Sequence, residues 1–169
     1  SKISEPETMI PYALQGAVNI AQGKVIRHFE EQGGVDSVVA SAMGVSIGDM
    51  GSFMSAEQVD SVAFWLYSRQ HEMKGFACLD GTGVGKTRSN LGIAKAFLRM
   101  DPHEGKPRKI FYLTENNLNA PDIVKELHEM GMGHLRVGVL TSPFKSETKV
   151  KTPDGGTKVV PVNALSKKE

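Results

Sequence analysis

The chain has 169 residues, 40% of them hydrophobic, which is enough for one α/β domain with an appended subdomain. Its 20 Lys and Arg against 19 Asp and Glu give a net charge of +1, which argues against a strongly basic nucleic-acid-binding module. Cys78 is the only cysteine, so an internal disulfide is excluded and a reducing, cytoplasmic compartment is expected. The sequence contains no apolar run near the roughly 20 residues that a membrane-spanning helix needs.

Helical signals dominate the first 52 residues, which we assign to an N-terminal helical segment. Residues 12–32 predict a helix that Gly33-Gly34 ends, with its apolar side chains mostly on one face. Those side chains are Ala13, Val18, Ile20, Val25, Ile26 and Phe29. A short helix over 35–44 and a turn-rich link over 46–52 are expected to follow.

The next predicted helix begins after Ser55 and reaches Gln70. The order Ser55-Ala56-Glu57-Gln58 is typical of a capping box, in which the Ser hydroxyl and the Gln amide each bind a backbone N–H group. The face expected to be buried consists of Val59, Val62, Ala63, Leu66 and Tyr67. Trp65 is expected to pack beside them.

Strands and helices alternate in the prediction for residues 75–140. Runs at 75–79, 108–113 and 135–140 predict three strands, the first of them buried, with helices over 87–100 and 121–130 between them. This order predicts an α/β fold with a parallel sheet and right-handed crossovers, within a domain over 53–169. Asp154-Gly155-Gly156, between two Val/Lys/Thr segments, predicts a terminal hairpin over 149–161.

A glycine-rich loop lies between the first of these strands and its helix. Residues Asp80–Thr87 match the phosphate-binding P-loop pattern, which ends in Gly-Lys-Ser/Thr, although Asp80 stands where glycine is common. Glycines let successive backbone N–H groups approach phosphate closely, at the N-terminus of the following helix. Lys86 is expected to contact the β- and γ-phosphates, and the Thr87 hydroxyl to bind Mg²⁺. The residues predicted to bind ATP are Gly81, Thr82, Gly83, Val84, Gly85, Lys86, Thr87, Arg88 and Gln58.

Three further residues have two possible roles each. Gln58 could read adenine through its amide, or act only as a capping residue, and both roles can hold at once. Phe53 could stack on the base, although a core position is favoured. Glu115 follows the second predicted strand and could be an acidic Mg²⁺ ligand, although we favour a loop-capping role. The sequence lacks a guanine-specifying Asn-Lys-x-Asp segment, which favours ATP.

Residues Phe76–Arg88 resemble motif I of Strawberry notch-like helicases, which belong to superfamily two and are related to domains of large phage antirestriction proteins. In that family an Asp is expected at Asp80, and a Gly is frequent where this chain has Thr87. Met9–Tyr12 looks like the family's opening segment, and Met54–Val59 like the stretch that holds its adenine-reading Gln. Thr114–Leu118 resembles motif Ia, which lies beside the nucleic-acid strand. The resemblance covers residues 9–140.

The resemblance implies the first RecA-like lobe of an ATP-driven helicase or translocase. DNA is then a more expected partner than RNA, and the host cytoplasm is the expected location if a phage encodes the protein. Lys86 and Thr87 are the catalytic residues that it implies. The family's acidic motif, coupling motif and second lobe are not among these residues, so we expect a truncated fragment that does not hydrolyse ATP by itself.

Two other functions stay open. A small P-loop kinase would need an acceptor pocket and an Arg-rich lid, and neither is visible. A non-catalytic interaction or virion-associated module could keep a vestigial nucleotide-binding fold and use its N-terminal helices as a contact surface. The five histidines lack metal-ligand spacing and are expected at the surface. Cys78 is expected to be an inert buried thiol, and the lysines at 145, 149, 151 and 158 to be solvated.

Overall fold

The computed structural model describes residues 12–73, 75–78, 85–100, 108–114, 117–140 and 147–162. The chain forms two compact units, Ser1–Lys106 and Pro107–Glu169. The first unit contains the helices α1 (Tyr12–Glu30), α2 (Val35–Met43), α3 (Met50–Phe53), α4 (Ala56–Gln70) and α5 (Lys86–Met100). The second contains a 3-10 turn (Asn117–Asn119), the helix α6 (Ala120–Glu129) and the strands β1 (Glu147–Lys151) and β2 (Thr157–Pro161).

In the first unit, α4 packs against α2 and α5, and α1 packs against α2 and α4. Gly92 of α5 allows the close approach of α4. A Cβ atom at Gly92 would lie 2.8 Å from Met54 Cε and 3.0 Å from Val62 Cγ2. The residues at the centre of this core are fully buried: Phe29, Val39, Met43, Val62, Ala63, Leu66 and Ala96.

Helix α1 buries less of its apolar face than the sequence predicted. Val25 and Phe29 are buried, whereas Ile20, which the sequence placed with the same apolar set, is 61% exposed. Both buried residues lie in the second half of α1. Amphipathic spacing predicts which face of a helix is apolar, but it does not predict which part of that face the neighbouring helices contact. The Gly33-Gly34 stop is confirmed, since Gly34 N–H donates to the Phe29 carbonyl at 2.8 Å.

Helix α4 begins and ends at the predicted residues. The capping box is present, and the Ser55 N–H donates to Gln58 Oε1 at 3.0 Å. The predicted face is buried except for Tyr67, which is half-buried. Beyond Gln70, Glu72 has a left-handed φ of 55°, and the Met73 N–H donates to the Ser68 carbonyl at 2.9 Å, which closes the helix end.

The short helix α3 was not predicted. It occupies the end of the link that the sequence assigned to turns. The Met54 N–H donates to the Met50 carbonyl at 3.0 Å, and Met50 is buried. Burial of Met50 and Met54 favours one helical turn in a stretch whose Ser and Gly residues indicate a loop.

The second unit confirms the predicted hairpin. Strands β1 and β2 pair antiparallel, with Lys149 opposite Val159, and Gly155 in the turn has a left-handed φ of 83°. Helix α6 packs on β1, and its predicted range is confirmed to within a residue at each end. A small apolar cluster connects α6 with β2, the residue after it and the segment 135–140, and is formed by Ala120, Val124 and Val162 with the half-buried Val137, Val139 and Val160.

The three strands predicted over 75–140 lack a β-ladder in the part of the chain that the structure describes. The sheet found there has two strands, β1 and β2. Residues 135–140 alternate between half-buried and exposed, which is the period of an extended chain. Residues 110–113 are all exposed, and Leu113 is 92% exposed. The parallel α/β sheet therefore stays a prediction, as does the domain boundary after residue 52.

Acidification is expected to destabilise the second unit through His128. Burial, and then the nearby Lys158 ammonium, lower the pKa of His128 below its ordinary value. The folded state therefore favours the neutral ring, so this stabilisation is complete above the ordinary pKa and is lost as pH falls through the lower, folded-state pKa. Urea denaturation between pH 7.5 and 5, followed in the wild type and in His128→Gln, measures the effect.

The matched control is His134→Gln, because His134 is an exposed histidine of the same unit. We expect His134→Gln to keep the wild-type loss of stability on acidification and His128→Gln to show a smaller loss. An identical pH dependence in the two variants would contradict the role of His128.

Candidate functional site

The start of α5 is the described end of the predicted phosphate-binding loop. Gly85 precedes the helix with a left-handed φ of 77°, which a residue with a side chain rarely adopts. Its carbonyl accepts hydrogen bonds from the N–H groups of Arg88, at 2.9 Å, and Ser89, at 3.3 Å. The first N–H groups of a helix have no acceptor within it and form the positive end of its dipole. Lys86 and Thr87, both half-buried, occupy this first turn.

Gln58 joins the start of α4 to this turn. Its Oε1 accepts from the Ser55 N–H at 3.0 Å, and its Nε2 donates to the Gly85 carbonyl at 3.5 Å. A Cβ atom on Gly85 would overlap Gln58 Nε2, so the close approach depends on glycine. The capping role of Gln58 is thus confirmed. Its contact with adenine stays a prediction, for a residue whose side chain contacts Gly85 at the end of the loop.

Arg88 and Phe53 form a second contact, between α5 and the end of α3. Arg88 Nη1 donates to the Phe53 carbonyl at 3.4 Å. The Phe53 ring is half-buried and lies 5.0 Å from the Lys95 ammonium, in a cation–π contact. The arrangement agrees with the packing role favoured for Phe53. It also shows that Arg88, assigned from the motif to nucleotide binding, contacts the backbone at the end of α3.

Sequence reasoning missed Ser89. Its side chain is fully buried in α5, and its hydroxyl has no hydrogen-bond partner among the described residues. Buried hydroxyls in proteins are usually paired. The only signal in the sequence was its place three residues after Lys86, within one helical turn of the motif's end.

Several predicted residues lie outside the part of the chain that the structure describes. They are Asp80, Gly81, Thr82, Gly83 and Val84 of the loop, and Glu115. Of the motif Ia-like segment, Thr114 is described, and its Oγ1 accepts from Asn119 Nδ2 at 2.9 Å. The structure therefore brings together Gly85, Lys86, Thr87, Arg88 and Gln58 from the predicted site.

Two expectations about other chemistry need correction. Cys78 is half-buried rather than buried, with its Sγ 3.9 Å from Ser61 Oγ. His28 and His128 are half-buried rather than at the surface. His28, on α1, packs against the end of α4, where its ring contacts Tyr67 and His71. The described residues contain no cluster of three or more His, Cys, Asp or Glu side chains arranged for a metal ion.

Comparisons with known proteins add no relative. No family model, curated protein or solved structure matches the chain. The resemblance to Strawberry notch-like helicases thus depends on the motif residues themselves. Among the described helices, none combines the length and the apolar character needed to cross a membrane.

Proposed function

We propose that this chain is the ATP-binding lobe of a nucleic-acid helicase or translocase, with ATP-Mg bound by the loop at 80–87, whose last two residues begin α5. One observation carries the proposal. Helix α5 begins at Lys86 directly after a left-handed Gly85, and Gln58 of α4 contacts that glycine. A P-loop requires this junction, because its last glycine turns the chain so that the helix N–H groups face the phosphates.

The first turn supplies chemistry that suits a triphosphate. The Lys86 ammonium adds a charge-assisted hydrogen bond to the β- and γ-phosphate oxygens. Thr87 offers a hydroxyl oxygen, and Mg²⁺ binds through few protein groups together with waters and phosphate oxygens. A single Thr87 hydroxyl is therefore a sufficient protein ligand for Mg²⁺ here. The ion, when bound, would neutralise part of the phosphate charge. Gln58, whose amide contacts Gly85, would bind the base with the same side chain that contacts the end of the loop.

The nucleic-acid partner and the ATP hydrolysis are proposed for the full-length protein. Hydrolysis needs an acidic residue near Mg²⁺ and a group that positions the attacking water. In the resembling family, these groups and the second lobe lie outside motifs I and Ia. We therefore propose that this chain binds nucleotide without nucleic-acid-stimulated ATPase activity. Measured stimulation would show that the acidic residue lies within the chain.

Lys86→Ala is expected to weaken ATP binding by about tenfold or more, because a charged hydrogen bond contributes about 1.5–3 kcal/mol. A fluorescent ATP analogue titrated with and without Mg²⁺ measures the affinity. Lys24→Ala is the matched control, since Lys24 is an exposed lysine of α1. Equal binding by Lys86→Ala and the wild type would refute the assigned site.

A further inference from the structure

A cavity of about 420 Å³, open to solvent, lies in the helical unit and is lined by residues from α2, α4, α5 and the turn after α1. Of its polar lining residues, Gln32, Ser41, Gln70 and Arg99 are exposed. This volume falls within the range of small-molecule sites, about 300–1,000 Å³. Its polar lining comes from Gln32, Ser37, Ser41, Gln70 and Arg99, and none of the described residues that line it is acidic. The Arg99 guanidinium therefore attracts negative charge to this described lining.

Arg99 reaches the cavity from the last turn of α5. Its guanidinium lies against Gly44, which ends α2 with a left-handed φ of 65°, and a Cβ atom there would overlap the guanidinium. Lys95 precedes Arg99 by one helical turn. Burial lowers the pKa of Lys95, and the Arg99 charge lowers it further. Lys95 does not line the cavity, so Arg99 supplies the cationic group there.

The other polar groups can donate hydrogen bonds. Gln70 Oε1 lies 2.6 Å from His28 Nε2, so with the ring proton on Nε2 the amide oxygen is already bound and the amide N–H groups are left to donate. Ser37 and Ser41 are four residues apart on α2 and therefore lie on the same side of that helix. The Gln32 amide already donates to the His28 carbonyl at 3.2 Å. The cavity thus combines a guanidinium, two amides and two hydroxyls.

We propose that this cavity binds a phosphoryl group, carried either by a small phosphate ester or by a nucleic-acid backbone. Its donors match the several oxygens of a phosphoryl group, and an Arg guanidinium binds two of them at once. The half-buried Val38 and the buried Leu66 supply apolar contact for the rest of the ligand. Helix α5 separates this cavity from Lys86 by about 20 Å, at 1.5 Å per residue, so the two anion sites are distinct.

Inorganic phosphate is the first probe, followed through the amide and side-chain NMR shifts of the full chain. We expect shifts at Ser37, Ser41, Gln70 and Arg99. Arg99→Gln should weaken phosphate binding by about tenfold or more, which is the usual value of a charged hydrogen bond. Lys86→Ala should leave these shifts unchanged, which separates the cavity from the proposed nucleotide site.

A double variant, Ser37→Ala with Ser41→Ala, removes two donors without removing charge. Alanine favours helix more than serine does, so α2 stays folded and weaker phosphate binding cannot be attributed to unfolding. This variant decides the question if Arg99→Gln fails to fold. Arg27→Gln is the matched control, because Arg27 is exposed in the last turn of α1 and does not line the cavity. It should bind phosphate like the wild type.

A short single-stranded oligonucleotide is the second probe and identifies the source of the phosphoryl group. Oligonucleotide shifts at the same residues, lost in Arg99→Gln, would assign the cavity to a nucleic-acid backbone. A response to inorganic phosphate alone would assign it to a small phosphate ester. The proposal is overturned if neither probe shifts these residues, or if Arg99→Gln and the double serine variant both bind like the wild type.

Discussion

Phe29→Ala is expected to lower the free energy of unfolding of the helical unit by about 3–5 kcal/mol, the usual cost of removing a buried aromatic ring. The Phe29 side chain is 0% exposed and lies in the second half of α1, the part that is buried. Its ring also meets the His28 ring edge to face, with centroids 4.8 Å apart. Truncation leaves a cavity in a core of close-packed helices, and urea denaturation followed by circular dichroism measures the loss.

The matched control for Phe29 is Ile20→Ala in the same helix. Ile20 is 61% exposed, so its truncation should change the free energy of unfolding by no more than about 0.5 kcal/mol. Domains are stable by only about 5–15 kcal/mol, so Phe29→Ala removes a large share of the total. Equal losses of unfolding free energy from the two substitutions would mean that Ile20, in the first half of α1, is also buried in solution.

Gly85→Ala is expected to weaken both the fold and nucleotide binding. A residue with a Cβ atom in the left-handed region costs about 1–2 kcal/mol, and Gly85 has a φ of 77°. The new methyl group also displaces Gln58 Nε2, which removes its hydrogen bond to the Gly85 carbonyl. Such a bond contributes about 0.5–1.5 kcal/mol, so the combined loss of stability is about 1.5–3.5 kcal/mol.

Nucleotide affinity should fall as well, because the turn at Gly85 directs the first N–H groups of α5. If those groups and Lys86 no longer converge, about 1.5–3 kcal/mol of charge-assisted hydrogen bonding is lost, or about tenfold or more in affinity. Thermal denaturation and the ATP-analogue titration measure the two effects separately. Wild-type affinity in a folded Gly85→Ala protein would mean that the phosphates bind elsewhere.

Gly16→Ala serves as the control for glycine substitution. Gly16 lies inside α1, and a Cβ atom there would meet nothing within 4 Å. Alanine is the better helix former, so this variant should gain up to about 1 kcal/mol. Opposite signs at Gly16 and Gly85 would show that backbone conformation, and not the loss of glycine as such, determines the outcome.

Local signals predicted much of the secondary structure. The capping box at Ser55, the Gly33-Gly34 stop and the hairpin turn at Asp154-Gly155-Gly156 were all correct, because each depends on contacts between residues only a few positions apart. The start of α5 was predicted to within one residue for the same reason, since the glycine before Lys86 turns the chain. Composition and spacing were sufficient for these features.

Contacts between distant residues were not predictable in this way. Amphipathic spacing placed Ile20 with Phe29, yet only packing against other helices determines which half of α1 is buried. The exposed run at 110–113 has the composition of a buried strand, and a strand forms a ladder only when a neighbouring segment pairs with it. Composition alone does not identify that neighbour.

The residue order therefore predicted the motif and the start of its helix, but it did not predict which other residues pack around them. Glycines, a lysine and a threonine in series specify a turn and a helix N-terminus because backbone conformation is a local property. The contact of Gln58 with Gly85, the approach of Arg99 to Gly44 and the cavity beside it depend on how α2, α4 and α5 pack. That packing follows from the shapes of buried side chains far apart in the sequence, and only the tertiary structure brings them together.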